Sequence, residues 1–235
     1  MTLVEMTLVN MTWVKICGMT NLEDALVAVD AGADAVGFVF YEKSPRKIDV
    51  ERARSIINEL PQTTDKVGVF VNQSEQRIRE VVSEAHLTMV QIYGEGPAAS
   101  QSEEVREPPL NNFRVIMAMR IDQLVPGKVI YGSLPGSMVD AILVDSGSEN
   151  TPGGTGETFD WQKNREYLRT LGSVPGMRVI VAGGLKPENV SDAISTFAPW
   201  GVDVASGVEA SRGKKDPEKV RAFVRAVRES DRRAS

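Results

Sequence analysis

From Trp13 onward the chain repeats one alternation: a short β-rich run, then a segment with apolar residues at helical spacing. WVKIC (Trp13 to Cys17) is followed by Asn21 as N-cap of LEDALVAVDAG, which Gly32 closes. DAVGFVF (Asp34 to Phe40) is apolar throughout, as a strand buried on both faces is. A polar loop with Lys43, Ser44, Pro45 and Arg46 then leads into DVERARSIINEL. KVGVFV (Lys66 to Val71) and TMVQI (Thr88 to Ile92) enclose the helix SEQRIREVVSEA. FRVIMAM (Phe113 to Met119) and VDAILVD (Val139 to Asp145) are the fifth and sixth strands. Their crossovers are weaker: Gly94 to Asn112 has room for a short helix, and Gly127 to Met138 is irregular. A helix from about Asp160, the strand in MRVIVAGG, and PENVSDAISTF with Pro187 in its first turn follow. GVDVASG holds the eighth strand, and DPEKVRAFVRAVRES is the last helix, with Asp216 as N-cap and Pro217 in its first turn. Eight strands, each with a crossover, predict an α/β chain folded as a (β/α)₈ barrel. An open doubly wound sheet is the alternative, but it usually has fewer strands.

The 235 residues suit a single barrel, which typically takes about 250. We expect one catalytic domain over residues 13–235 and a short extension over 1–12. That extension reads MTLVE-MTLVN-MTWVK, which suggests alternative start codons, and three five-residue units are too short to build a solenoid. It lacks the basic and apolar regions of a signal peptide, and no apolar run reaches the roughly 18 residues of a membrane span. The net charge of −5 argues against nucleic acid or an anionic membrane surface as partner. An anionic substrate would have to be held by a few basic side chains, helix N-termini or backbone N–H groups. The lone cysteine excludes a disulfide within the chain and fits a reducing, cytoplasmic setting, leaving its thiol free.

A barrel of this kind carries its active site at the C-terminal ends of the strands. Cys17 ends the first strand, and Arg46 lies in the loop after the second. Gln91 and Tyr93 stand at the end of the fourth, Arg120 follows the fifth, and Asp145 ends the sixth. Gly183 and Gly184 follow the seventh, and Asp203, Ser206 and Gly207 end or follow the eighth. Small residues in both of the last two loops match the usual phosphate site of these barrels, with GVEAS as candidate for the short extra helix. A single GG pair would mean only a tight turn; two such loops in the two expected places favour phosphate. The loop GGTG (Gly153 to Gly156) is expected over the mouth.

Strands one and six lie three steps apart around the ring, so Cys17 and Asp145 can face opposite sides of one substrate. As a base, Cys17 must lose its proton near neutrality, and nearby helix N-termini would help. As an acid, Asp145 must hold its proton, which burial and a neighbouring thiolate would favour. Alone, a single Cys is most often a small core residue, and an Asp at a strand end a cap or a loop hydrogen bond.

The stretches VKICGMTN, ADAVGFVF, SPRKI, VGVFVN, VDAILVDS, GGTGETFDW, AGGLKPENV, VDVASGVE and GKKD resemble those of the phosphoribosylanthranilate isomerases, over nearly the whole chain. KICG together with GGTG-x-TFDW is highly specific, since few other barrels carry both. The resemblance implies an Amadori rearrangement of a small phosphorylated substrate in tryptophan biosynthesis. It makes Cys17 the base, Asp145 the acid and Arg46 the partner of the anthranilate carboxylate. Gly183, Gly184, Asp203, Ser206 and Gly207 complete the substrate-binding set. It implies no metal and no redox cofactor, and a monomer or homodimer. Three positions depart from the family's pattern: Tyr93 stands in place of a histidine, Met117 of a lysine and Ala205 of a serine. None of the three is expected to touch the acid or the base. His86, the only histidine, precedes the fourth strand and reads as structural. Two rivals remain. The histidine-pathway isomerase resembles this family but uses carboxylates for both proton transfers, which Cys17 opposes. A catalytically dead phosphate-binding barrel is opposed by Cys17, Arg46 and Asp145 together.

Overall fold

The computed structural model describes residues 11–94, 113–121, 139–146 and 160–234. Eight parallel strands close into a barrel in sequence order: β1 (Trp13–Cys17), β2 (Ala35–Val39), β3 (Asp65–Val71), β4 (Met89–Tyr93), β5 (Arg114–Arg120), β6 (Ala141–Asp145), β7 (Val179–Val181) and β8 (Gly201–Val204). β8 returns to pair with β1, Lys15 standing opposite Asp203 and Ile16 opposite Val204. The expected (β/α)₈ barrel is the fold, and closure leaves this eight-stranded sheet without an open edge.

Side-chain alternation sorts each strand between two apolar layers. Cys17, Val67, Val69, Met89, Ile116, Leu143 and Ile180 point into the barrel and form one cluster. Their neighbours Ile16, Phe70, Val90, Val115, Ile142 and Val181 point outward, into a second cluster shared with the helices. The continuous apolar runs of the sequence have this cause, since both faces of every strand are covered.

The helices are α1 (Leu22–Asp30), α2 (Val50–Ile57), α3 (Glu75–Ala85), α4 (Trp161–Gly172), α5 (Val190–Phe197) and α6 (Pro217–Ala234). Asn21, Asp49, Ser74 and Asp160 each cap a first turn with a side-chain oxygen. Asp216 does the same for α6, accepting from Glu218 N at 2.9 Å and Lys219 N at 3.2 Å. α5 differs from expectation. It begins at Val190, and Pro187 lies in the turn before it. Asn189 bends back to that turn instead of capping the helix: its Oδ1 accepts from Lys186 N and its Nδ2 donates to the Gly184 carbonyl. Most of the extension and the crossovers around Gly94 to Asn112 and Gly127 to Met138 lie outside the described residues.

α6 also ties the end of the chain to its start. The Asp231 carboxylate accepts from Thr12 N at 3.2 Å and from its hydroxyl at 2.6 Å. Arg228 donates to the Thr12 carbonyl, the Gly32 carbonyl and Asp34. After β8, a 3-10 turn (Ser206–Val208) leads into a two-stranded hairpin of β9 (Glu209–Ser211) and β10 (Lys214–Lys215). The expected GVEAS helix is therefore one turn only, and its second half is strand. Gly213, at φ +79, turns this hairpin, and its carbonyl accepts from Thr20 Oγ1 at 2.6 Å. Among the described residues no helix is long and apolar enough to cross a membrane.

Candidate functional site

The C-terminal ends of the strands surround a cavity of about 720 Å³. Cys17, Arg46, Asp145, Gly183, Gly184, Asp203 and Ser206 all line it, so most of the residues singled out in the sequence meet at one place. Gly207 does not line it. It packs against the loop after β7, where an added Cβ would collide with the Leu185 carbonyl. Gly183 and Gly184 take φ values of +83 and +62, which other residues rarely adopt. At Gly183 a side chain would also run into Ser146. The two loops thus approach each other backbone to backbone. The GGTG segment lies outside the described residues.

Cys17 sits on the inner face of β1, and so does Lys15, two residues earlier. Lys15 is completely buried; its Nζ donates to Gln91 Oε1 at 2.6 Å and to Asp203 Oδ1 at 3.0 Å. Burial opposes the charge on Lys15, but Asp203 and Cys17 beside it hold its pKa above the ordinary lysine value. Burial likewise pushes the Cys17 thiol up; Lys15 pulls it down, Asp203 pushes it up and Lys215 pulls it down. Two lysines thus support the thiolate, while burial prevails over them.

Asp145 ends β6 and is buried. Tyr93 Oη donates to its Oδ2 at 3.1 Å, and Ser146 Oγ stands 3.5 Å from its Oδ1. One departure from the family's pattern, Tyr93, does touch Asp145, contrary to expectation. Adjacent strands bring the two together: Tyr93 is in register with Ala118 on β5, and Arg120 on β5 with Asp145 on β6. A tyrosine at the end of β4 is long enough to cross β5. Burial, with the Asp145 carboxylate next to it, keeps the Tyr93 phenol well above its usual range. Ala205 lines the cavity, while Met117 is a half-buried residue of β5.

Arg46 is held by a residue that the strand-end reading passed over. Its Nε and Nη2 donate to Glu209 Oε1 and Oε2 at 2.7 and 2.9 Å, a bidentate pair. Glu209 also accepts from Lys215 Nζ at 3.1 Å and from Gly213 N at 3.3 Å. Burial works against the Glu209 carboxylate, but Arg46 and Lys215 hold its pKa below the usual value. The pair uses the Nε–Nη2 edge of the guanidinium and leaves the Nη1–Nη2 edge for another carboxylate. Gly18 makes this possible, since a Cβ there would strike the Arg46 side chain.

Lys15, Glu209 and Lys215 were thus missed, though each had a signal. Lys15 shares the strand parity of Cys17 within KIC, and Glu209 and Lys215 end or interrupt the stretches VDVASGVE and GKKD. His86 is far from all of this: it ends α3 at φ +59 and pairs with Asn58 Oδ1 at 3.0 Å. Among the described residues no group of three or more His, Cys, Asp or Glu side chains gathers as for a metal ion.

A sequence model of the N-(5'-phosphoribosyl)anthranilate isomerase family matches residues 14–226. An N-(5'-phosphoribosyl)anthranilate isomerase of Pseudomonas fluorescens is 46% identical over 214 residues, 91% of this chain and 97% of that one. Among solved structures, a phosphoribosyl anthranilate isomerase of Thermotoga maritima superposes with a TM-score of 0.75 at 40% identity, covering 93% of this chain and all of that one. A second, in complex with reduced 1-(o-carboxyphenylamino)-1-deoxyribulose 5-phosphate, gives 0.72 at 38% identity with the same coverage.

Proposed function

The chain belongs to the N-(5'-phosphoribosyl)anthranilate isomerase family, and from this premise we propose how its own residues carry out that isomerisation. The protein is an isomerase of tryptophan biosynthesis that converts N-(5'-phosphoribosyl)anthranilate to 1-(2-carboxyphenylamino)-1-deoxyribulose 5-phosphate. Asp145 gives its proton to the furanose ring oxygen; the ring C–O bond breaks, and the nitrogen lone pair forms the cationic Schiff base. The Cys17 thiolate takes the proton from C2′, and the electrons of that C–H bond neutralise the iminium to an enolamine. Tautomerisation places a proton on C1′ and removes one from the C2′ hydroxyl, giving the aminoketone. Exchange with solvent then restores Asp145 to acid and Cys17 to thiolate. The cation formed on ring opening favours the thiolate, in the same direction as the two lysines.

Arg46 receives the anthranilate carboxylate on its remaining edge. The backbone of Gly183 and Gly184, with Ser206, receives the phosphate, and Gly207 lets the two loops close up behind it. Asp203 completes the pocket at its floor. The observation that carries this reading is that Cys17 and Asp145 open on one cavity from strands three apart, with Arg46 on its rim.

The test is a turnover assay of the parent, Cys17→Ser and Asp145→Asn on the anthranilate substrate, with the histidine-pathway substrate in parallel. Each variant should lose at least about 10²-fold in kcat with little change in KM, and the histidine-pathway substrate should not react. An unchanged kcat in either variant removes that residue from proton transfer. A raised KM at constant kcat makes it a binding residue.

A further inference from the structure

We infer that Lys15 is a positioning residue for the base, holding the charge of the Cys17 thiolate from one layer below the cavity while Gln91 and Asp203 hold Lys15 itself. The inference rests on Cys17 being the base proposed above. An ammonium has three donors and no acceptor. Two of them reach Gln91 on β4 and Asp203 on β8. Cys17 Sγ lies beside the same side chain: one point over Gly37 is within 2.9 Å of both Cys17 Sγ and Lys15 Cε. Neither the strand nor the fold requires a cation here: a buried unpaired charge is costly, and Met would fill the same volume.

Lys15 does not line the cavity and is wholly shielded from solvent, so it meets no substrate and acts through its neighbours. β2 leaves space for the arrangement. Gly37 stands in register with Cys17, and an added Cβ would come within 2.7 Å of Cys17 Sγ and 2.9 Å of Lys15 Cε. The groups that face Cys17 from other elements are Asp203 on β8, Lys215 on β10, Arg46 after β2 and Tyr93 on β4, with Asp145 on β6 beyond Tyr93. Of the cations among these, Lys15 pulls hardest on the thiol, and Asp203 opposes it.

Cys17 is the only cysteine of the chain, so alkylation by iodoacetamide reads its ionisation directly. The rate is measured against pH on the full-length protein, with circular dichroism confirming the fold. In Lys15→Met the midpoint should rise by about one to three pH units, the effect of removing an adjacent opposite charge. In Asp203→Asn it should fall. Steric damage alone would not move the two variants in opposite directions. A Lys15→Met midpoint equal to that of the parent overturns the inference. If Lys15→Met does not fold, Lys15→Met/Asp203→Asn is compared with Asp203→Asn, where only the ammonium differs. The double variant should have the higher midpoint, and equal midpoints overturn the inference. Alkylation needs no turnover, so failure of Cys17 as base, read from Cys17→Ser activity, remains distinguishable from failure of Lys15 to act on the thiol.

Discussion

Tyr93 is placed to adjust the proposed acid. Its hydroxyl donates to Asp145 Oδ2, and a donor favours the ionised carboxylate. The proton that Asp145 delivers in the proposed mechanism is therefore held less firmly than it would be without the phenol. Tyr93→Phe keeps the ring and removes the donor. A hydrogen bond to a charged group contributes roughly 1.5–3 kcal/mol, and about 1.4 kcal/mol corresponds to one pH unit. The limb of the kcat profile that belongs to Asp145 should move up by about one to two units in Tyr93→Phe. The limb that belongs to Cys17 should stay in place. A shift of the Cys17 limb alone would mean that the phenol serves Cys17. The residue was visible in the sequence as a departure, but its partner was not. Position at a strand end places a side chain at the mouth of the barrel and says nothing of which neighbour it reaches across the next strand.

At the scale of elements, the hairpin β9–β10 works as a strap for Arg46. Lys215 N bonds to Asp24 of α1, Gly213 to Thr20, and the Glu209 carboxylate gathers Arg46 and Lys215. Glu209→Gln would leave two buried cations facing a neutral amide, and breaking such a pair typically costs about 3–5 kcal/mol. The urea midpoint should drop accordingly and KM should rise, since Arg46 loses its bidentate support. The pH dependence supplies a second reading. The folded-state pKa of Glu209 is depressed, so its contribution is fully present above the unfolded value of about 4.3 and fades as pH falls towards the folded value. Urea midpoints measured downward from pH 7 should fall less in this acid window for Glu209→Gln than for the parent. Parallel curves would deny Glu209 that role. The eight strands and most caps were legible because periodicity, Asn, Asp and Ser carry them locally. The strap was not: Arg46 and Glu209 are 163 residues apart, and short GVEAS has equal claims as helix turn or strand.

For the whole molecule, the proposed phosphate cradle would make stability depend on ligand concentration. A ligand that binds only the folded state stabilises it by about 2.7 kcal/mol at a hundred times its Kd. In a domain of this size that corresponds to roughly 5–10 °C in Tm. Inorganic phosphate should raise Tm by that order at saturation, against sodium chloride of equal ionic strength. It should do so much less in Gly184→Asp, which puts a carboxylate and a side chain where the loop needs φ +62. An equal rise in both proteins would place the anion elsewhere. The barrel and the position of its mouth were readable from the chain because eight repeats admit few architectures. The charge pattern inside was not readable, because the interior of a barrel compares residues from strands distant in sequence. Lys15 meets Gln91 and Asp203, 76 and 188 positions away.

The clasp between α6 and Thr12 sets a schedule for synthesis. Thr12 leaves the ribosome early and Asp231 219 residues later, so at about 5–20 residues per second the clasp waits roughly 10–45 s for its second half. β1 waits almost as long for β8, and Lys15 with it for Asp203. Throughout that interval a nascent chain carries an unpaired lysine and a cysteine on a strand with one neighbour missing. The proposed site gains the carboxylate that holds Arg46 and the second lysine beside Cys17 only when the hairpin with Glu209 and Lys215 has arrived, so a chain that stops short of it lacks both.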